Sequence, residues 1–169
     1  MITKFTANQI QTRVMELAAA IQLDYSDKEL VLLGVLNGSF IFMSDLCRSI
    51  EIPHRMDFLG TSSYGNNSSS SGNVVITKEL QIDIFNKDVL LVEDILDTGN
   101  TIHFLKSHLL KQSPATFSIC TLFWKSKNQD IEPQYYGFQV PDNEFLVGYG
   151  LDFAGKYRHL PYVASLAVT

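Results

Sequence analysis

The sequence predicts an α/β fold in which a mostly parallel sheet is flanked by helices on both faces. Short continuous apolar runs at 30–36 and 115–125 are typical of strands that are buried on both sides. These runs alternate along the chain with segments of helical periodicity, as expected of a parallel sheet. The chain has 169 residues, 46% hydrophobic and 18% charged, which suffices for a single domain spanning 1–169 with a buried core.

The first part of the chain predicts a helix, a strand, a second helix and a second strand. The opening helix is indicated by apolar residues spaced by four, three and four positions: Ile10, Val14, Leu17 and Ile21. The run 30–36 is the first buried strand, and the Asn-Gly turn after it leads into a helix capped near Ser39. Residues 54–60 are expected to form the next strand.

The rest of the chain begins with a tract of Ser, Asn and Gly at 61–73, which is too polar to bury itself. A strand resumes in "VVIT", and "KDVLLVEDILDTGNTI" predicts a buried strand, a turn and a helix. That helix is expected to bury one stripe of side chains, Ile102, Leu105 and Leu109. The tail from Ile131 is rich in proline and is expected to form loops and short strands that cap the carboxyl edge of the sheet.

Charge and composition narrow the possible functions. A net charge of −5 and a pI near 5.2 disfavour a nucleic-acid binder that neutralises phosphates. No apolar run approaches the ~18–20 residues that a membrane span needs, and residues 1–14 do not resemble a signal peptide. A cytoplasmic protein without membrane contact is therefore expected. Cys47 and Cys120 lie in apolar stretches and are expected to be buried thiols.

The ligand site is expected at the carboxyl edge of the sheet, where open parallel sheets bind their ligands. Three segments leave the predicted strands at this edge: 36–39, 93–101 and 125–128. In the second segment, Glu93 and Asp94 are expected to leave the strand on opposite faces, and Asp97 follows them. These three carboxylates lie within five residues and repel one another, so a cation or a polyhydroxylated ligand is expected among them.

The turn after the acidic pair is typical of an anion-binding loop. Thr98 and Thr101 supply hydroxyl groups, Gly99 supplies flexibility, and the start of the helix supplies backbone N–H groups. A phosphate dianion suits such a loop. The alternative is that the two preceding acids are ordinary loop charges and that Asp97 only caps the helix.

The stretch "VLLVEDILDTGNT" resembles the phosphoribosyl-diphosphate (PRPP) motif of type I phosphoribosyltransferases. That motif has an apolar strand, two acids, two aliphatic residues and then Asp-Thr/Ser-Gly-x-Thr. The stretches "GVLNGSFIFMSDLCR", "DFLGTSSYG", "ICTLFWK" and "LVGYGLDFAGKYRHLPY" are similar, in the same order, to the hypoxanthine-guanine branch. The resemblance spans about residues 30 to 166 and implies the type I fold, with a small hood built from the chain ends.

The resemblance also implies an activity: Mg²⁺-dependent purine salvage, in which PRPP and hypoxanthine or guanine give IMP or GMP and pyrophosphate. It implies that Glu93 and Asp94 hold the ribose hydroxyls, the first partly through Mg²⁺, and that Asp97 is the general base beside purine N7. The implied PRPP-binding residues are Glu93, Asp94, Asp97, Thr98, Gly99, Asn100 and Thr101. The implied metal ligands are Glu93, Asp94 and Asp152.

At the pyrophosphate end, the resemblance implies contacts from Leu36, Asn37, Gly38 and Arg158. The family often has a non-proline cis peptide before the second residue of this loop. Asn37 departs from the family, which commonly has Lys or Arg there, so one cation of the pyrophosphate pocket is missing. Backbone N–H groups must then contribute more, or PRPP binds more weakly.

At the purine end, the resemblance implies that Lys125 donates to the 6-oxo group and that Phe145 stacks on the base. The Leu146 backbone and Asp152 border the same pocket. A mobile lid at about 61–73 is implied, with its Ser-Tyr pair at Ser63 and Tyr64. Taken alone, the lysine could be a solvated strand end and the phenylalanine a core aromatic.

Two alternative functions stay open. Type I folds also serve as nucleotide-sensing RNA binders, although the acidic pI, Asp97 and Lys125 favour an enzyme. A transferase for xanthine is a nearer alternative, since xanthine and guanine differ at position 2, which backbone groups mainly read. The family is commonly dimeric or tetrameric, so a homodimer or homotetramer is expected.

Overall fold

The computed structural model describes residues 1–64, 73–126 and 130–166 of the chain. Strands and helices alternate along most of these ranges. The elements are β1 (Ile2–Phe5), α1 (Ala7–Asp24), β2 (Leu30–Leu36), α2 (Phe40–Ser49), β3 (His54–Tyr64), β4 (Asn73–Lys78), β5 (Asp88–Leu96), α3 (Asn100–Leu110), β6 (Thr116–Trp124), β7 (Tyr135–Gln139), β8 (Phe145–Val147) and β9 (Val163–Leu166).

The larger sheet has the strand order β4-β3-β2-β5-β6-β7. Every neighbouring pair is parallel except β3 and β4, which are antiparallel. The mostly parallel α/β sheet predicted from the sequence is therefore confirmed. Because β2, β5 and β6 are neighbours, the three loops that leave their carboxyl ends lie side by side.

Helices α1 and α2 cover one face of the sheet. A capping box between Thr6 and Gln9 starts α1. The apolar stripe that predicted this helix is buried, and it packs with α2 and the sheet residues Leu90 and Val92. The stripe consists of Ile10, Val14, Leu17 and Ile21.

Helix α3 covers the opposite face. Its predicted stripe of Ile102, Leu105 and Leu109 is fully buried against Val89 and Leu91 of β5. Alternate residues of β5 thus enter the two cores, which explains why this strand is apolar at successive positions.

The smaller sheet is a three-stranded hood with the order β1-β9-β8. Both of its pairings are antiparallel, so the two ends of the chain meet in it, as the family resemblance implied. One expectation for the tail is wrong, because β7 joins the main sheet beside β6 instead of capping its edge. The reason is aromatic packing, because the centroid of the Phe138 ring lies 4.4 Å from that of Phe5 and 5.7 Å from that of Phe123.

Two local expectations also differ from the structure. Ser39 occupies the N-cap position of α2, but its hydroxyl donates to the Val35 carbonyl at 2.6 Å instead of capping the helix. Cys120 is buried as expected, whereas Cys47 is only half-buried. None of the helices in the described ranges is long and apolar enough to span a membrane.

A half-buried carboxylate joins β3 to the segment after β4. Asp57 accepts hydrogen bonds from the backbone N–H groups of Phe58 at 2.7 Å and Gln81 at 2.6 Å. The Lys78 ammonium lies 3.1 Å from the same carboxylate. Burial alone would raise the pKa of Asp57, but these N–H groups and Lys78 outweigh burial and lower it.

Candidate active site

Glu93 and Asp94 stand where β5 reaches the carboxyl edge of the sheet. Both line a cavity of about 210 Å³, which they share with residues of the following turn. Glu93 is only 8% exposed. The Ile95 N–H donates to Asp94 Oδ1 at 2.8 Å, and the Asp94 N–H donates to Glu93 Oε1 at 3.3 Å. The expectation that these side chains leave the strand on opposite faces stays a prediction.

Burial makes both carboxyl groups costly to ionise. Burial raises the pKa of Glu93 well above its usual range, and the adjacent Asp94 raises it further. Burial also raises the pKa of Asp94, while its hydrogen bonds with Glu93 and the backbone, and then the Arg158 guanidinium, partly offset that rise. A buried acidic pair of this kind gains stability from a cation or from hydroxyl groups that donate to it.

The turn after β5 lines the same cavity through Thr98, Gly99 and Thr101. Gly99 has φ +79°, in the left-handed region, and occupies the N-cap position of α3. Gly99 has no side chain that could cap the helix, and the Thr98 hydroxyl accepts from the Asn100 N–H at 3.4 Å. The N–H groups at a helix start such as this one favour an anion. The N-cap position that the alternative interpretation gave to Asp97 therefore belongs to Gly99.

The loop after β2 lies directly against the acidic pair. A Cβ atom at Gly38 would stand 1.7 Å from Asp94 Oδ2, so only glycine allows this approach. The peptide bond between Leu36 and Asn37 is cis, as the family resemblance implied. The Asn37 side chain is exposed.

The hood brings a cation to the same place. Arg158 pairs with Asp152 Oδ1 at 2.7 Å and donates to the Gly150 carbonyl at 2.6 Å. A Cβ atom at Gly150 would stand 2.1 Å from the Gly38 carbonyl oxygen, so the hood turn touches the loop after β2. Arg158 therefore lies beside both the acidic pair and the Gly38 loop.

A second cavity of about 230 Å³ adjoins the first and shares Asp94 with it. The Lys125 N–H donates to the Leu96 carbonyl at 2.9 Å, which brings the ends of β5 and β6 together. As a result, Lys125 Nζ lies 3.0 Å from Asp97 Oδ2. The Lys125 side chain is 9% exposed, whereas that of Asp97 is 54% exposed. The lining residues are Asp94, Ile95, Asp97, Lys125, Glu144, Phe145, Leu146, Leu151 and Asp152.

Sequence reasoning missed some residues of this second cavity. Glu144 and Leu151 line it, and Phe153 packs edge-on against Phe145 with ring centroids 5.5 Å apart. Each of the three is next to a residue singled out from the sequence, and that adjacency was the available signal. The Glu144 carboxylate lies 2.5 Å from Lys4 of β1, a contact between distant residues that no local pattern reveals.

The predicted lid falls mainly on residues outside the described ranges, and the side chains of Ser63 and Tyr64 are not described either. Within the described residues, no three His, Cys, Asp or Glu side chains are grouped to hold a metal ion. Asp94 nevertheless lies between Glu93 in one cavity and Asp152 in the other.

Comparison with known proteins agrees with this geometry. The family model described as "Phosphoribosyl transferase domain" matches residues 5–154. A hypoxanthine phosphoribosyltransferase of Salmonella typhimurium is 46% identical over 164 residues, which cover 95% of this chain and 92% of that protein. A hypoxanthine-guanine phosphoribosyltransferase of Mycobacterium bovis is 42% identical over 169 residues, which cover 95% of this chain and 83% of that protein.

A solved structure shows the same fold at higher coverage. The crystal structure of a hypoxanthine-guanine phosphoribosyltransferase from Bacillus anthracis, with a HEPES molecule in its active site, superposes with a TM-score of 0.92. It is 42% identical, and the match covers 99% of each chain. The chain therefore belongs to the phosphoribosyltransferase family, as a purine salvage transferase of its hypoxanthine-guanine branch.

Proposed function

We propose that the protein transfers the 5-phosphoribosyl group of PRPP to hypoxanthine and guanine, forming IMP or GMP and pyrophosphate. The observation that carries this proposal is the pair of adjoining cavities that share Asp94. One cavity has the acidic pair and the anion-binding turn, which suit a sugar phosphate. The other has a lysine, a carboxylate and an aromatic ring, which suit a 6-oxopurine.

The first cavity is assigned to the ribose 5-phosphate part of PRPP. Glu93 and Asp94 accept hydrogen bonds from the ribose hydroxyls, which removes the cost of burying two adjacent acids. The 5-phosphate is held by neutral donors of the turn and the start of α3. These donors come from Asp97, Thr98, Gly99, Asn100 and Thr101.

The diphosphate of PRPP is assigned to the loop after β2 and to Arg158. Leu36, Asn37 and Gly38 offer backbone groups there, and Arg158 offers the positive charge. This guanidinium is fixed by Asp152 at 2.7 Å and by the Gly150 carbonyl at 2.6 Å, so it is ordered before substrate binds.

We assign Mg²⁺ to Glu93, Asp94 and Asp152. Their donor set contains only carboxylate oxygens, which Mg²⁺ prefers. A bound Mg²⁺ usually takes one or two carboxylates together with substrate phosphates. That preference agrees with carboxylates spread over two adjoining cavities. When bound, the ion neutralises charge on the leaving pyrophosphate.

The base is assigned to the second cavity, between Asp97 and Lys125. Their side chains lie 3.0 Å apart, so they offer one acceptor and one cationic donor side by side. A 6-oxopurine with a proton on N7 matches this pair, because its oxygen accepts from Lys125 and its N7 donates to Asp97. Adenine would turn an amino donor towards an ammonium group and is disfavoured.

In the chemical step, N9 of the base forms a bond to the anomeric carbon while the bond from that carbon to the pyrophosphate oxygen breaks. The N7 proton passes to Asp97, so the purine product is neutral. Phe145 stacks on the base, and the buried Leu146 backbone borders it. Asp152 closes the same side of the pocket. The lid at 61–73, with Ser63 and Tyr64, would exclude water from the anomeric carbon.

Four broader assignments belong to this proposal. The chain acts as one domain over 1–169, without nucleic-acid or membrane partners, and it assembles as a homodimer or homotetramer. The cytoplasmic location expected from the sequence stays a prediction.

The decisive experiment is a competition assay with purified protein, PRPP and Mg²⁺, in which hypoxanthine, guanine, xanthine and adenine are offered together. IMP and GMP should form, adenine should be a poor substrate, and the rate with xanthine reports how the enzyme reads position 2 of the base. Chelation of Mg²⁺ should stop turnover. PRPP with Mg²⁺ should also raise the melting temperature, because only the folded state binds it. If the protein converts neither hypoxanthine nor guanine, the proposal is refuted.

A further inference from the structure

The hood turn that carries Gly150 has an unusual backbone. Three successive residues adopt positive φ angles: Gly148 at 99°, Tyr149 at 50° and Gly150 at 99°. The two glycines adopt this region without penalty, but a tyrosine there is uncommon and needs other contacts to hold it.

Tyr149 is held by contacts to a helix on the other side of the turn. Its side chain is buried, at 8% exposure, and its hydroxyl donates to Asp45 Oδ2 of α2 at 2.6 Å. Arg48 pairs with the other oxygen of Asp45, so the acceptor is itself fixed. The Tyr149 N–H donates to the Leu160 carbonyl at 2.8 Å.

The same turn touches the diphosphate end of the site. Gly150 approaches the Gly38 carbonyl so closely that a Cβ atom would stand 2.1 Å away. The Gly150 N–H donates to the Arg158 carbonyl at 3.0 Å, and Arg158 Nη1 donates back to the Gly150 carbonyl. The position of Gly150 therefore determines that of Arg158 and of the loop after β2.

We propose that Tyr149 is a positioning residue for the diphosphate end of PRPP, acting through its hydrogen bond to Asp45. The bond ties the hood turn to α2, the helix that starts directly after the Gly38 loop, so the loop and the turn keep one mutual position. This inference rests on the proposed function, because it assigns the pyrophosphate to Gly38 and Arg158.

Tyr149 acts indirectly. It borders neither of the two cavities that meet at Asp94. Its side chain instead lines a groove between α1, α2 and the hood, together with Asp45 and Ile41. Its effect on a substrate in the two cavities passes through its neighbours in the turn, above all Gly150, and through Arg158.

The test is the substitution Tyr149→Phe, which removes the hydroxyl and keeps the ring. We expect the KM for PRPP and the Kd for pyrophosphate to rise by about tenfold or more, as for loss of a hydrogen bond to a charged acceptor. The KM for hypoxanthine and kcat should change less than twofold by this reasoning. Asp45→Asn keeps an acceptor oxygen and should stay near wild type, whereas Asp45→Ala should reproduce the loss.

A matched control is available in Tyr135→Phe. The Tyr135 hydroxyl also donates to a carboxylate, Asp24 Oδ2, at 2.6 Å, but neither residue lines the site cavities. This variant should lose a similar amount of thermal stability and keep the wild-type KM for PRPP.

The inference is overturned if Tyr149→Phe keeps the wild-type KM for PRPP. It is also overturned if, in both tyrosine variants, every kinetic constant worsens in proportion to the loss of thermal stability. If Tyr149→Phe does not fold, Asp45→Ala decides the question from the other partner. A wild-type protein that forms no nucleotide would instead contradict the proposed function, which the same assay reports separately.

Discussion

Replacing Gly38 by alanine is expected to remove most of the activity while the fold survives. The added Cβ atom would stand 1.7 Å from Asp94 Oδ2. Carbon and oxygen atoms in contact stay at least about 3.3 Å apart, so the loop or the carboxylate must move by about 1.5 Å. A misplacement of about 1 Å can cost ~100-fold in rate. The kcat/KM for PRPP should therefore fall about 100-fold, which corresponds to about 2.7 kcal/mol of lost transition-state binding.

The assay is the initial rate at saturating hypoxanthine and varied PRPP, combined with thermal melting of each variant. Gly137→Ala is the matched control, because its Cβ atom would stand 2.5 Å from the Leu122 carbonyl oxygen in the sheet, among residues that do not line the site cavities. That control should lose stability and keep its KM for PRPP. A Gly38→Ala enzyme with kcat/KM close to wild type would refute the reasoning, and so would an equal loss of activity in both variants.

Three other substitutions test binding, chemistry and stability separately. Asp97→Asn should lower kcat by about 100-fold or more with little change in the KM for PRPP, and an unchanged kcat would remove Asp97 from the role of base. Asn37→Arg should lower the KM for PRPP about three- to tenfold at low salt and less at high salt, whereas a salt-independent or absent effect would contradict the missing-cation explanation. Asp57→Asn should lower the melting temperature at neutral pH. The lowered pKa of Asp57 adds stability above the unfolded pKa of about 3.9, and this stability is lost as pH falls through the folded pKa. The difference in melting temperature between the wild type and Asp57→Asn should therefore shrink towards about pH 3. A difference that stays constant from about pH 3 to 7 would contradict a stabilising role of the ionised carboxylate.

The sequence predicted those parts of the fold and site that are encoded locally. The strand, turn and helix around Asp97 could be predicted because apolar period, glycine and hydroxyl residues all fall within one short stretch. The cis bond before Asn37 was expected only from family resemblance. The pairing of β7 with β6 was not predicted, because it depends on Phe138 meeting Phe5 from the far end of the chain.

Side-chain contacts at the strand ends were the other feature that the sequence did not predict. Strand alternation predicted opposite faces for Glu93 and Asp94, whereas the hydrogen bonds that both carboxylates accept from the next backbone N–H group were not predicted. The contact between Asp97 and Lys125 joins two strand ends that are 28 residues apart in the chain. Such a contact depends on the register of β5 and β6, which composition and periodicity do not specify.

Asp94 borders both cavities, and this has a consequence for how such an enzyme can change its substrate. A mutation at this shared wall alters the sugar side and the base side together, so it cannot tune one without disturbing the other. New base preferences are more accessible through Leu151 or Glu144, which border the second cavity alone. Evolution and engineering alike should find their variation there, with Asp94 held constant.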